Sequence, residues 1–300
     1  MLFGLLLWGC GPKTGALPHI DEITWPERVP EAGAVLHLLA PGEAPRQTIQ
    51  LTPNLDDTFN VSLSLSIETW AETDQQPMAP PVRIPVHTET RYRVDQIDGD
   101  GSMHLSGEIA DVHLNDGASA LMIAVMSPTM SRLVGTTAEM VMRPSGEIVS
   151  STRIDAQGQQ QQLGDDMMSL RPWFPEQPVG VGARWEILDR AEQNGMMVAR
   201  RVIQRITDID AGVITLDTKI EQHLIEVINF TDLPRGAQLQ NAAMDSYGAG
   251  LSRVDLSLPM PLAASIDLQS VVSADILLED LPLQQTITTQ TRSEVSARRD

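Results

Sequence analysis

Between Val61 and Glu68 the chain alternates: Val61, Leu63, Leu65 and Ile67 are apolar, while Ser62, Ser64, Ser66 and Glu68 are polar. Strict period two puts one set on each side of an extended chain, so this stretch predicts a strand with one dry and one wet face. Two later stretches share a plan of strand, turn and strand. Tyr92–Ile109 carries the turn Asp98-Gly99-Asp100-Gly101, and Gln204–Ile220 carries Asp210-Ala211-Gly212. Glycine accepts the positive φ of a tight hairpin and aspartate bonds its own backbone there, so both predict β-hairpins. Thr137–Ile154 and Leu251–Leu268 match each other more loosely, each a strand, a Pro-containing turn and a returning strand. A duplication would produce these matches, and so would chance likeness among antiparallel hairpins; the pattern leaves both open.

Helical spacing is rarer. Ala118, Leu121, Met122, Val125 and Met126 recur at three- and four-residue intervals, predicting a helix that Pro128 ends or kinks. Residues 157–174 form a second helical candidate, interrupted by Gly164. Residues 73–85 hold four prolines and read as a loop. Phe174–Ile187 bends at Pro175 and Pro178, allows close backbone approach at Gly180 and Gly182, and starts a strand at Trp185. The expected fold is mainly β (α+β): curved antiparallel sheets, two modules of similar plan, and two or three short helices. The expected layout is a leader over 1–9, a tether over 10–45, a first module over 46–175 and a second over 176–300. Within the tether, "AGAVLHLLA" is the one stretch that looks ordered.

Composition narrows the functional classes. Hydrophobic residues make up 42% of the 300 residues, enough for a true core, but aromatics only 4%. The net charge of −19 argues against nucleic acid as a partner. The nearest thing to a basic cluster, Ala199-Arg200-Arg201, reads as the exposed face of a strand.

Cys10 is the only cysteine, so no disulfide can form within the chain. The apolar run before it, Leu2 to Trp8, is too short for the ~20 residues that span a bilayer but suits a signal-peptide core. Leu7-Trp8-Gly9-Cys10 resembles the bacterial lipobox. That resemblance implies lipidation of the Cys10 thiol, cleavage before it, and membrane anchoring by acyl chains at about 0.8 kcal/mol per buried methylene. No basic n-region precedes Leu2, which places the expected start codon upstream. Gly11 after the cysteine favours the outer over the inner membrane. No other stretch approaches transmembrane length.

Pro175, Pro178, Val179, Gly182 and Trp185, followed by Gly248, Gly250 and Asp255, resemble the pattern of an uncharacterised family of bacterial secreted lipoproteins. Ala183 departs from it, since the family often has an acid there. The resemblance implies an envelope location and no catalytic residues. At fold level, curved sheets with a few helices are similar to the half-barrel carriers of lipoprotein transport.

The search for chemistry gives little. No histidine pair or Cys-x-x-Cys has metal-ligand spacing, although His87 with Glu89, His104 with Glu108 and His223 with Glu221 share strand faces. Asp95, Asp98 and Asp100 miss the EF-hand spacing. No nucleophile motif is present, and Asp165-Asp166 reads as a helix cap. The expectation is no catalytic residue, no metal and no cofactor. Fourteen methionines serve as core filler, as a wall for an apolar ligand, or as copper ligands. The functional expectation is a non-enzymatic, lipid-anchored envelope lipoprotein that binds an apolar ligand or envelope component. Met122, Val125, Met126 and Leu133 are expected to line its ligand face, with Trp173, Phe174 and Trp185 at the rim. The other reading is a protein-interaction module with a filled core and no small ligand.

Overall fold

The computed structural model describes residues 29–31, 33–73, 81–155, 158–162, 172–193, 195–228, 237–278 and 281–299. Cys10 and the leader lie outside them, as do Asp165-Asp166 and Met167-Met168. The first half carries β1 (Ala34–Ala40), β2 (Thr58–Thr73), β3 (Val82–Ile97), β4 (Met103–Leu114), α1 (Ala120–Ser131), β5 (Thr137–Met142), β6 (Ile148–Ile154) and β7 (Gln160–Gln162). The second carries β8 (Arg184–Gln193), β9 (Met196–Asp210), β10 (Val213–Val227), β11 (Ala237–Asp255), β12 (Ala263–Leu278) and β13 (Leu281–Arg299).

All thirteen strands belong to one sheet, in the order β1-β8-β9-β10-β11-β12-β13-β2-β3-β4-β5-β6-β7. Two antiparallel meanders, β2 to β7 and β8 to β13, are joined where β13 pairs with β2, Gln285 opposite Thr73 through Arg299 opposite Phe59. The sheet does not close; β1 and β7 are its edges. The expected hairpins are present: β3 and β4 meet at Asp98–Gly101, and β9 and β10 at Asp210–Gly212. Gly101 and Gly212 have φ of +85° and +83°, the region glycine adopts without penalty.

Three expectations need correction. Among the described residues there is one helix, not two or three. Within the second helical candidate, Gln160–Gln162 is an edge strand beside β6; residues 163–171 lie outside the described set. The glutamine run has good helix propensity but no apolar stripe to bury, so pairing at the sheet edge wins. Pro128 lies inside α1, three residues before its end at Ser131. Val82–Pro85, read as loop, opens β3, where Pro85 stands opposite Ser66. The ordered piece in the tether is β1, which pairs with β8 from Ala34–Asp189 to Ala40–Arg184.

The sheet curls around one main core. Phe59, Val61, Val94, Leu105, Met140 and Met142 from the first meander pack with Trp185, Val202, Ile214, Leu216, Ile266 and Val295 from the second. Segments 41–57 and 172–183 floor this core. Leu51 N–H donates to Pro144 O (2.8 Å), Phe174 N–H to Ser145 O (2.8 Å) and Glu43 N–H to Val181 O (2.8 Å). Gly180 fits because it lacks a side chain: a Cβ there would lie 2.0 Å from Glu43 O. Gly250 on β11 is as tight, its missing Cβ 2.2 Å from Ser265 O and 2.4 Å from Ile266 Cγ1. At this close approach of β11 to β12 only glycine fits without something shifting.

Candidate functional site

The inward face of the sheet, which carries the core, is not uniformly apolar. A polar row crosses it: Asp189 on β8 faces Arg200 on β9, then Gln222 on β10, Ser246 on β11 and Ser270 on β12. Arg200 Nε donates to Asp189 Oδ1 at 2.9 Å, and the second guanidinium nitrogen contacts Asp189 Oδ2. Ser246 Oγ donates to Ser270 Oγ at 2.8 Å. Asp189, Arg200, Gln222 and Ser246 are all buried. The row parts the main core from a small second cluster, Ala191, Met196, Val198 and Met244, with Leu224 and Val272 against it.

In the first meander the same face continues beyond the packed core as an aliphatic stripe. Leu65 on β2 pairs with Val86 on β3, which pairs with Leu114 on β4; Ile67 pairs with Ile84. All five are only partly buried, and none belongs to either core cluster. These residues share a face with Phe59 and Val61, so the alternation that builds the core also leaves apolar surface past its end.

The residues expected at a ligand face are not gathered in one place. Phe174 (1% exposed) and Trp185 (0%) are core, not rim. Their ring centroids are 6.1 Å apart, and Trp185 Nε1 donates to Gln204 Oε1 at 3.2 Å. Trp173 is partly buried and packs against the same core. On α1, Met122 and Met126 are partly buried, as is Leu133 just past it. Val125 is 66% exposed and does not line an interior. Its position one residue before Met126 turns it about 100° away around the helix. Met103, Met130, Met140, Met142, Met196, Met244 and Met260 are buried, so these methionines fill core space.

The outward face is charged. Arg292 pairs with Asp267 (2.8 Å), and Arg201 bridges Glu186 (2.8 Å) and Glu221 (3.4 Å). Arg200 was expected on this exposed side with Arg201; it is instead 1% exposed on the inward face, because neighbours along a strand point opposite ways. Two open clefts of about 390 and 530 Å³ lie here. Ser62, Ser64, Ser265 and Glu294 line the first, and Ser66, Glu68, Arg83 and Gln290 the second.

Four of the histidines sit beside an acid. His87 does approach Glu89 (3.7 Å), and its Nδ1 shares a hydrogen bond with Ser64 Oγ (3.0 Å). His104 pairs with Asp98 (2.9 Å) rather than Glu108, and His223 with Asp245 (2.6 Å) rather than Glu221. Hydrogen bonds from His104 and Gln96 hold the Asp98 carboxyl below its ordinary pKa, and the Ser102 N–H does the same for Asp100. These acids stabilise the hairpin turn. Burial, then the nearby Glu221, pushes the Tyr247 phenol up. Among the described residues no three His, Cys, Asp or Glu side chains gather as a metal-binding set.

Sequence reasoning missed the polar row. The signal was available: Arg200 and Gln204 stand in phase with Val198, Val202 and Ile206, the buried residues of β9.

No family model matches the chain, and no curated protein matches it. Among solved structures, the P. putida toluene transporter TodX aligns at 7% identity over 83% of this chain and 91% of its own, with a TM-score of 0.19. The TodX monoaromatic hydrocarbon channel deltaS2 mutant aligns at 7% identity over 82% and 91%, with a TM-score of 0.17. Similarity at that level carries no argument about fold or function. No described helix is long and apolar enough to cross a membrane. The sheet carries its core and the polar row inward and ion pairs such as Arg292–Asp267 outward.

Proposed function

We propose that this protein is a non-enzymatic bacterial envelope lipoprotein, anchored through lipid on Cys10, that holds an apolar ligand or envelope component against the inward face of its sheet. The observation that carries the reading is the stripe of Leu65, Ile67, Ile84, Val86 and Leu114. Apolar surface on the inward face, partly open to water and continuous with a core, gains about 25 cal/mol per Å² when a partner covers it. The charged outward face keeps the sheet compatible with water while the anchor holds the membrane. The outer membrane is the proposed location, and the uncharacterised lipoprotein family the proposed relationship.

Native mass spectrometry of the protein tests the ligand. Co-purified apolar mass that disappears in Leu65→Glu, with folding retained, is the expected result. Ligand-free wild-type protein favours the second reading, an interaction module, which the densely filled Trp185–Phe174 end supports. Intact-mass analysis in the native host tests the anchor: an unmodified Cys10 thiol overturns it, whatever the ligand result.

A further inference from the structure

On the outward face of the first meander two histidines stand side by side. His87 on β3 is directly opposite His113 on β4, and Ser64 on β2 is opposite His87. Directly opposite residues share a face and hold their side chains close together. The two imidazole centroids are 4.9 Å apart, with the rings tilted by 39°. Two imidazoles bound to one metal ion at about 2.0–2.1 Å have ring centres roughly 5 Å apart, so these rings already have the spacing of a shared ion. Solvent reaches both: the His87 side chain is 17% exposed and that of His113 50%.

The hydrogen bonds of the pair leave the same nitrogen open on each ring. His113 Nδ1 is 2.6 Å from Asp111 Oδ2, a carboxylate that accepts its proton and puts the lone pair on Nε2. His87 Nδ1 is 3.0 Å from Ser64 Oγ; with the hydroxyl accepting, the His87 lone pair is on Nε2 as well. Among the described residues neither Nε2 has a hydrogen-bond partner. Metal-ligating histidines take this arrangement, with the other ring N–H given to an oxygen. One pleat along, Glu89 stands opposite Asp111, and like charges in that position repel. Glu89 Oε1 is 3.7 Å from His87 Nε2, so a cation at the rings also relieves the two acids. Arg91 is one pleat further on, opposite Glu108. The net charge of −19 raises the local concentration of cations.

We propose that His87 and His113 together bind a late divalent transition-metal ion through their Nε2 atoms, Cu(II) ahead of Ni(II) and Zn(II). The site takes two protein ligands; water fills the other positions, and Glu89 accepts hydrogen bonds from that water. Imidazole nitrogen with oxygen in the remaining positions suits tetragonal Cu(II), which stands highest in affinity among these ions. His104 with Asp98 and His223 with Asp245 are single imidazoles beside an acid and lack the second ring. The site is on the side of the sheet away from the aliphatic stripe, and it depends on neither the apolar ligand nor the lipid at Cys10.

The test uses the full chain with Cys10→Ser, which leaves no thiol to compete for or reduce copper. One equivalent of Cu(II) is added at pH 7.5. Electron paramagnetic resonance is expected to show coupling to two imidazole nitrogens, and calorimetric titration a single tight site. His87→Gln and His113→Gln should each remove the two-nitrogen signal and weaken Cu(II) binding at least about tenfold. His104→Gln and His223→Gln should leave both readouts unchanged. Circular dichroism checks the fold; His113, half exposed at the surface, keeps the test open if His87→Gln does not fold. A one-nitrogen spectrum in the parent overturns the proposal. So does Cu(II) binding that survives both His87→Gln and His113→Gln, since it places the ion elsewhere, such as at the N-terminus or the methionines. Equal losses in the His104 and His223 variants overturn it as well, because they mark general adsorption to an acidic surface.

Discussion

Arg200 and Asp189 face each other across β9 and β8 as a two-pronged ion pair, with side chains only 2% and 4% exposed. Neither charge reaches water, so each depends on the other. Arg200→Met should therefore destabilise the protein by about 3–5 kcal/mol, because it strands a buried carboxylate. Replacing both residues, Asp189→Leu with Arg200→Met, should recover most of that loss. Denaturant unfolding of the two variants and the parent checks both expectations.

Gly250 is a second fixed point. An alanine Cβ would meet Ser265 O and Ile266 Cγ1 at under 2.5 Å, and the backbone oxygen cannot rotate aside. Gly250→Ala should cost about 1–3 kcal/mol as an overpacking change. The unfolding midpoint of that variant in denaturant measures it.

Placement of the aromatics makes a contrast between two positions. Phe174→Ala should open a cavity in the main core and cost about 3–5 kcal/mol. Val125→Ala, on the exposed side of α1, should stay within about 0.5 kcal/mol of the parent. Similar losses at both would contradict the burial found for the two side chains.

The pH response should have two named contributors. The folded-state pKa of Asp98 is lowered by His104 first and Gln96 second. Its contribution is therefore present above the ordinary aspartate value near 3.9 and lost as pH falls through the lowered folded value. The folded-state pKa of Tyr247 is raised by burial first and Glu221 second. Its contribution is complete below the ordinary tyrosine value near 10 and lost as pH rises through the raised folded value. Thermal melts of Asp98→Asn should show a smaller acid-side loss than the parent, and those of Tyr247→Phe a smaller alkaline-side loss.

Local elements were readable where side chains alternate and turns need glycine. Leu63 and Leu65 announce β2, and Gly101 and Gly212 announce their hairpins, because these depend on a few adjacent residues. The join of β13 to β2 was not readable. Val295 opposite Leu63 is a contact between distant parts of the chain, and two amphipathic strands carry no label of which neighbour they will choose. The ligand face was misassigned for a related reason. Met122 and Val125 fit one helical stripe on paper, but tertiary packing selected the side with Met122, Met126 and Met130. Arg200 was misplaced because a run of charge reads as surface, whereas its phase with Val198 and Val202 put it inside.

The β13–β2 pairing also constrains how the chain is made. The strand that completes the sheet's middle is the thirteenth in synthesis order, yet it must lie beside the second. The earlier meander leaves the ribosome with one long border unpaired and waits for residues 285–299 before that border is covered. Until those residues arrive, the border of β2 holds out unpaired N–H and C=O groups to any other strand that reaches it.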